Sequence, residues 1–129
     1  MAFSNYLEDQ ITGWINGSTF ASAPTSTFVQ LYSQDPTDAG SATGALYTRV
    51  AVAASGWTRG TGGAGTLTNT AAITITPSAG SGATATHVAV FDTITGGNML
   101  FAGALTASKT IATGDEVKFN ASALSLTIA

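Results

Sequence analysis

Apolar positions change period once along the chain, separating one short helical stretch from a long β region. Between residues 4 and 16, Leu7, Ile11, Trp14 and Ile15 recur at i, i+4, i+7 and i+8, the spacing of a single helical stripe. Ser4 or Asn5 is placed to cap this helix, and Asn5 with Glu8 three positions on has the form of a capping box. Glu8 and Asp9 suit the positive end of the helix dipole, and Gly17 after Asn16 is a natural stop. Gly13 costs about 1 kcal/mol relative to Ala, so the helix needs tertiary packing to persist.

After Pro24 the period becomes two. Residues 27–32 read as a strand, with Val29 and Leu31 on one face and Phe28 and Tyr32 on the other. Ser33 to Gly40 is a polar loop rich in turn residues. Further strands are predicted over 46–53, 66–76 (ended by Pro77), 84–91, 99–105, 109–112, 117–119 and 123–128. A glycine loop falls at 60–65, a small-residue turn at 78–82 and a hairpin connection at 92–98. Eight short strands at this spacing, with no helical patterns alternating between them, predict an all-β single-domain β-sandwich of Greek-key or jelly-roll character. The domain covers 1–129, with an N-terminal arm and helix at about 3–17. The loop at 33–45 and the glycine segment are the predicted partner-contacting loops.

Composition sharpens the question of purpose. The chain has 129 residues, and charged residues make up 9% against a usual ~25%. From Gly65 to Ala129 the only charges are Asp92, Lys109, Asp115, Glu116 and Lys118. A surface so poor in charge predicts a protein that works in an assembly. Arg49, Arg59, Lys109 and Lys118 are scattered and the net charge is -3, so no nucleic-acid footprint is present. No apolar run is long enough for a membrane span. The N-terminal residues lack the basic start of a signal peptide, which predicts synthesis in a cytoplasm. Without Cys there are no disulfides and no thiolate metal sites.

The candidate chemistry is sparse. Gly60-Thr61-Gly62-Gly63-Ala64-Gly65 matches the dinucleotide glycine pattern in form, yet a β-like run follows it where a helix is required, and the next acid is Asp92. A flexible loop is the better reading. His87 lies in an apolar strand, sharing a face with Ala85, Ala89 and Phe91, and reads as a core-edge or interface residue. Asp35 and Asp38 with Thr37 offer oxygens but no calcium-loop pattern, and read as an Asx turn. Asp115 and Glu116 read as a solvated turn. No catalytic residues, cofactors or metal ligands are predicted. A small glycan hydrolase, relying on Asp115 or His87, is the enzymatic alternative. The sequons at Asn16 and Asn120 carry little weight without a secretory signal.

Nearly the whole chain resembles a family of small tailed-phage virion proteins, tail-fibre-like or capsid-decoration-like. The resemblance is carried by ordered segments: residues 3–8, 28–40, 47–52 with Trp57, 69–74, 86–92, 95–100, 103–105, 109–110, 114–115 and 123–126. It implies a virion component with no catalytic residues to transfer. The favoured role is a capsid decoration, or cement, protein that binds the major capsid protein as an oligomer, with a trimer favoured. The alternative is a tail-fibre or receptor-binding module contacting host-surface glycans. The helix with Tyr6, Trp14 and Ile15, and the arm around Phe3 and Phe20, are expected to dock on a neighbouring subunit. The loop carrying Asp35 and Asp38 is expected to contact the shell.

Overall fold

The fold is known from a computed structural model that describes residues 1–77 and 82–128. Its elements are β1 (Ala2–Phe3), α1 (Asn5–Ile15), β2 (Ser26–Tyr32), β3 (Ala45–Ala53), β4 (Trp57–Arg59), β5 (Thr66–Asn69), β6 (Ile73–Ile75), β7 (Ala83–Phe91), β8 (Met99–Ile111), β9 (Val117–Phe119) and β10 (Ser125–Thr127). A five-stranded sheet has the order β1-β8-β7-β2-β3. The chain leaves it after β3 to form β4, β5 and β6, returns in β7 beside β2 and continues into β8, and then adds β9 beside β6 and β10 beside β5, completing a two-stranded sheet (β6-β9) and a three-stranded one (β10-β5-β4). All paired strands are antiparallel. The all-β sandwich expected from the alternating pattern is the fold.

Alternation in β2 sorts its side chains as the pattern predicts. Val29 and Leu31 face inward to a core with Val88, Val90, Phe101 and Ile111 of the large sheet. Ile73, Ile75, Val117, Leu124 and Leu126 close this core from the second layer. Tyr32 lies on the opposite face, in a smaller cluster with Ala89, Phe91, Met99 and half-buried Phe28. The 33–44 loop folds back toward this second face: Pro36 is fully buried, and a Cβ on Gly40 would sit 3.0 Å from that of Met99. The loop therefore covers apolar surface in addition to any partner it meets. Trp57 ties the layers together, its ring edge-on to Phe101 at 5.9 Å and its indole N–H donating to the Thr27 hydroxyl at 2.8 Å.

Several boundaries differ from the sequence reading, each for a local reason. The predicted strand over 66–76 is two strands in different sheets. At the break, fully buried Asn69 donates through Nδ2 to the Ala71 and Asn120 carbonyls and accepts at Oδ1 from the Leu124 amide, at 2.9 Å each. That clamp turns the chain out of the β5 sheet before Ile73. The predicted strands 99–105 and 109–112 are one strand, β8, because a bulge absorbs the interruption: Ala104 pairs with His87 but Lys109 with Ala85. The same bulge separates Ala85, in the main core, from Ala89 and Phe91 on the second face. The grouping of Ala85 with Ala89 and Phe91 that uniform alternation predicts is thus broken. Strands β1 and β4 are too short for a periodic signal. The 78–82 turn expected from composition falls almost wholly outside the described residues.

A second bulge lies in β3. Val29 pairs with Val50 but Leu31 with Leu46, so β3 carries extra residues opposite Gln30. Tyr47 within it takes a φ of 65°, which few non-glycine residues adopt. Buried Gln30 donates to the Leu46 and Tyr47 carbonyls at 2.6 and 3.0 Å, replacing the ladder bonds the bulge removes. At a third bulge, near Met99, Ser4 docks the N-terminal segment. Its amide donates to the Leu100 carbonyl at 3.0 Å, and its hydroxyl donates to the Met99 carbonyl while accepting from the Leu7 amide.

Ser4 is the helix cap, so the capping box centred on Asn5 does not form; Asn5 instead donates its amide to the Asp38 carbonyl at 2.8 Å. At the other end, Gly17 (φ 89°) donates to the Trp14 carbonyl and Ser18 to that of Gly13, a Schellman closure. No residue of α1 is fully buried. None of the described helices is long and apolar enough to cross a membrane.

Ser4→Ala removes a cap and a tie to β8 together, and should cost about 1–2 kcal/mol in urea unfolding. Gln30→Ala leaves two bulge carbonyls without their buried donor and should cost about 1–3 kcal/mol. A loss below about 0.5 kcal/mol in either variant would contradict the role given to that side chain.

Candidate assembly groove

The N-terminal segment stands off the body of the sandwich and leaves an open groove of about 1140 Å³ between them. One wall is Phe3, Tyr6, Leu7 and Ile11, continued by the strap Phe20–Pro24. The floor is Thr27, Trp57, Leu67, Leu100 and Phe101, from both layers of the sandwich. The far wall is the loop between β4 and β5 together with Leu126 and Ile128. Arg59 and Asp92 are the charged residues lining it. The floor is drawn from β2, β4, β5 and β8, and the adjacent β8 residues Leu100 and Phe101 both reach it beside the bulge near Met99. The wall exists because the helical stripe is only partly used: Leu7 and Ile11 are half-buried against the groove, while Trp14 and Ile15 are 64% and 73% exposed.

The structure divides the expected interface residues into three groups. Phe3, Tyr6 and Phe20 line the groove. Trp14 and Ile15 project beyond it into solvent. Asp35 and Asp38 lie elsewhere, in the loop over the second face. The Asp35 carboxylate accepts the Thr37 amide at 2.8 Å, the Asx turn that its sequence context suggests. Leu7, Ile11, Leu67 and Phe101 are groove residues that the sequence reading did not assign to a site, whereas Trp57 stands out in the sequence as an aromatic suited to a sugar-binding surface, a core or a subunit interface. Leu7 and Ile11 carried a signal, being the same stripe as Trp14; the strand residues carried none beyond a core pattern.

The motifs weighed for chemistry settle into structural places. The glycine segment 60–65 is the loop of the β4–β5 hairpin, closed by Gly60 N–H to the Thr66 carbonyl at 2.9 Å. It is not followed by a helix, so the dinucleotide arrangement is missing. Gly65 (φ 61°) brings the loop onto the last strand, where the Ile128 amide donates to its carbonyl at 2.7 Å. A Cβ there would sit 2.6 Å from the Ile128 carbonyl oxygen. His87 is half-buried in β7, with Nδ1 2.9 Å from the Thr86 hydroxyl. The Asp115 carboxylate accepts the Ala112 amide at 3.0 Å and closes a turn. Among the described residues no three His, Asp or Glu side chains cluster to hold a metal.

A concentrated polar arrangement lies on the second face. The Arg49 guanidinium stacks 3.5 Å from the Phe91 ring centre, donates through Nη1 to the Thr93 and Gly96 carbonyls at 2.8 Å each, and donates through Nε to Gln30 Oε1 at 3.3 Å. This pins the 92–98 hairpin to the sheet. Burial lowers the Arg49 pKa, against the opposing pull of Tyr32 and Asp92. Burial raises the Tyr32 pKa above the ordinary 10.0, with Arg49 pulling it back.

Above pH 10 the unfolded chain ionises Tyr32 before the folded protein does, so this contribution to stability is lost as pH rises. Tyr32→Phe should therefore flatten the decline in unfolding free energy as the pH rises above about 10, relative to the parent. Equal slopes for the two proteins would refute it.

No curated protein matches the chain. One protein family does, described as podophage GP4 fiber I protein gp80, and the match runs over residues 2–127. A β sandwich with an apolar groove, a protruding apolar helix and few charges agrees with a part built for assembly, and by this near end-to-end match the chain belongs to the podophage GP4 fiber I protein gp80 family of phage virion structural proteins.

Proposed function

We propose that the protein is a non-enzymatic fibre component of the virion that contacts host-surface glycans, in preference to the capsid cement role that the sequence reading placed first. The observation that carries this is the fibre description of the family matching residues 2–127. The physical features support it. A neutral, hydroxyl-rich surface can exchange hydrogen bonds with sugars without desolvating charge. The exposed Thr93-Ile94-Thr95 tip is such a surface, held out by the Arg49 pin and by the Asp92 carboxylate, which accepts from the Asn98 amide and its Nδ2 at 2.7 and 3.0 Å. The apolar groove and helix supply contacts within the virion assembly.

Antibody against the protein should label the tail or its appendages in electron micrographs of intact particles. Purified protein should also slow adsorption of phage to host cells. Label spread over the head, at a copy number matching the shell, would return the cement role to first place.

A further inference from the structure

The same molecule carries an apolar knob and an apolar hole. The knob is the end of α1, where Trp14 and Ile15 are 64% and 73% exposed and every residue from Trp14 to Thr25 is solvent-facing. The hole is the groove of about 1140 Å³. It exceeds the ~300–1,000 Å³ usual for a small-molecule pocket, and it lacks the convergent polar groups such a pocket uses to orient its ligand. Trp14 does not line the groove of its own chain, because it lies a helical turn beyond Ile11, the last helix residue there.

The charges of knob and hole are complementary. The Schellman amides bond the Gly13 and Trp14 carbonyls, yet no basic residue occupies the last turn of α1, so no charge balances the negative end of the helix dipole. Of the two charged residues lining the groove, Asp92 is held by the Asn98 amide and Nδ2, whereas Arg59 is exposed on the wall and makes no side-chain hydrogen bond or ion pair among the described residues. Exposed Trp14 alone offers about 100–160 Å² of burial if it enters a pocket. A stable pair needs about 800 Å² from each partner, more than the knob supplies by itself, so the groove walls and the strap have to share the contact.

We infer that the occupant of the groove is a second copy of this chain: the Trp14–Ile15 end of α1 from one subunit seats in the groove of the next, with Arg59 facing the helix C-terminus. Two reciprocal contacts close a dimer, and a head-to-tail arrangement closes a ring. This contact does not depend on whether the protein belongs to a fibre or to the head, and its test uses purified protein without virions.

Sedimentation equilibrium of the full chain across the micromolar range should show a mass above the monomer. Trp14→Asp, which adds charge to an exposed position, should weaken association about 30-fold or more while leaving the far-ultraviolet circular dichroism spectrum, and the melting temperature at dilutions where the parent is monomeric, unchanged. Ala54→Arg, an exposed residue on the groove wall, should do the same from the other side. A mixture of the two variants should associate more tightly than either variant alone and less tightly than the parent, since each mixed pair keeps one intact contact and loses the other. Three results would overturn the inference: a monomeric parent at high micromolar concentration, a Trp14→Asp variant that associates like the parent, or a mixture of the variants that associates no more tightly than either alone.

Discussion

The inner faces of β2, β7 and β8 pack against the second layer, and the irregular features of the molecule are arranged around this contact. Val29, Leu31, Val88 and Val90 form its middle and are at most 1% exposed. The burial is apolar and non-directional, so it tolerates bulges only if the backbone groups they release find partners. Four buried polar side chains, Ser4, Thr27, Gln30 and Asn69, supply those partners or link the layers. Ser4, Gln30 and Asn69 each serve a place where a strand breaks step. All are neutral, and no buried side-chain nitrogen or oxygen among the described residues lacks a hydrogen bond. A chain with so few charges thus satisfies its interior without ion pairs and avoids their desolvation cost.

This arrangement has a consequence outside the core. The bulge near Met99 frees carbonyls that Ser4 engages, and Ser4 is also the cap of α1. Docking the helix through its first turn leaves its last turn unsupported. The groove follows directly, because the helix and strap meet the sandwich at one end and stand away from it elsewhere. An apolar stripe that is half-used inside one subunit is the physical feature that links fold to assembly. On the opposite face, Arg49 fills the equivalent need by covering Phe91 and holding the 92–98 hairpin, so that side stays closed.

How much of this was legible depends on the range of the interaction. The helix was readable because Leu7, Ile11, Trp14 and Ile15 repeat within it, and β2 because its two faces differ. The split of 66–76 was not readable, since Asn69 looks like any strand-edge Asn until residues 120–124 arrive to bond it. The joining of β8 was hidden for the reverse reason, a bulge that imitates a strand end. Of the groove, the aromatic wall residues Phe3, Tyr6 and Phe20 were visible as exposed-prone aromatics near the helix. Its floor was not, because Leu67 and Phe101 alternate like ordinary core positions and Trp57 lies in a strand too short to show a period.

The amino-acid sequence alone determined the class of the protein: period-two patterning demanded sheets, scarce charge favoured assembly, and the lack of clustered acids, His and Cys left little for catalysis. These are local or additive properties, so they survive without knowledge of the fold. The tertiary structure alone decided which apolar residues stay uncovered. Trp14 and Leu7 belong to one stripe and are equivalent in sequence, yet one lies along the groove and the other stands in solvent. The difference arises from where Ser4 anchors the helix on β8, a contact between residues nearly a hundred positions apart.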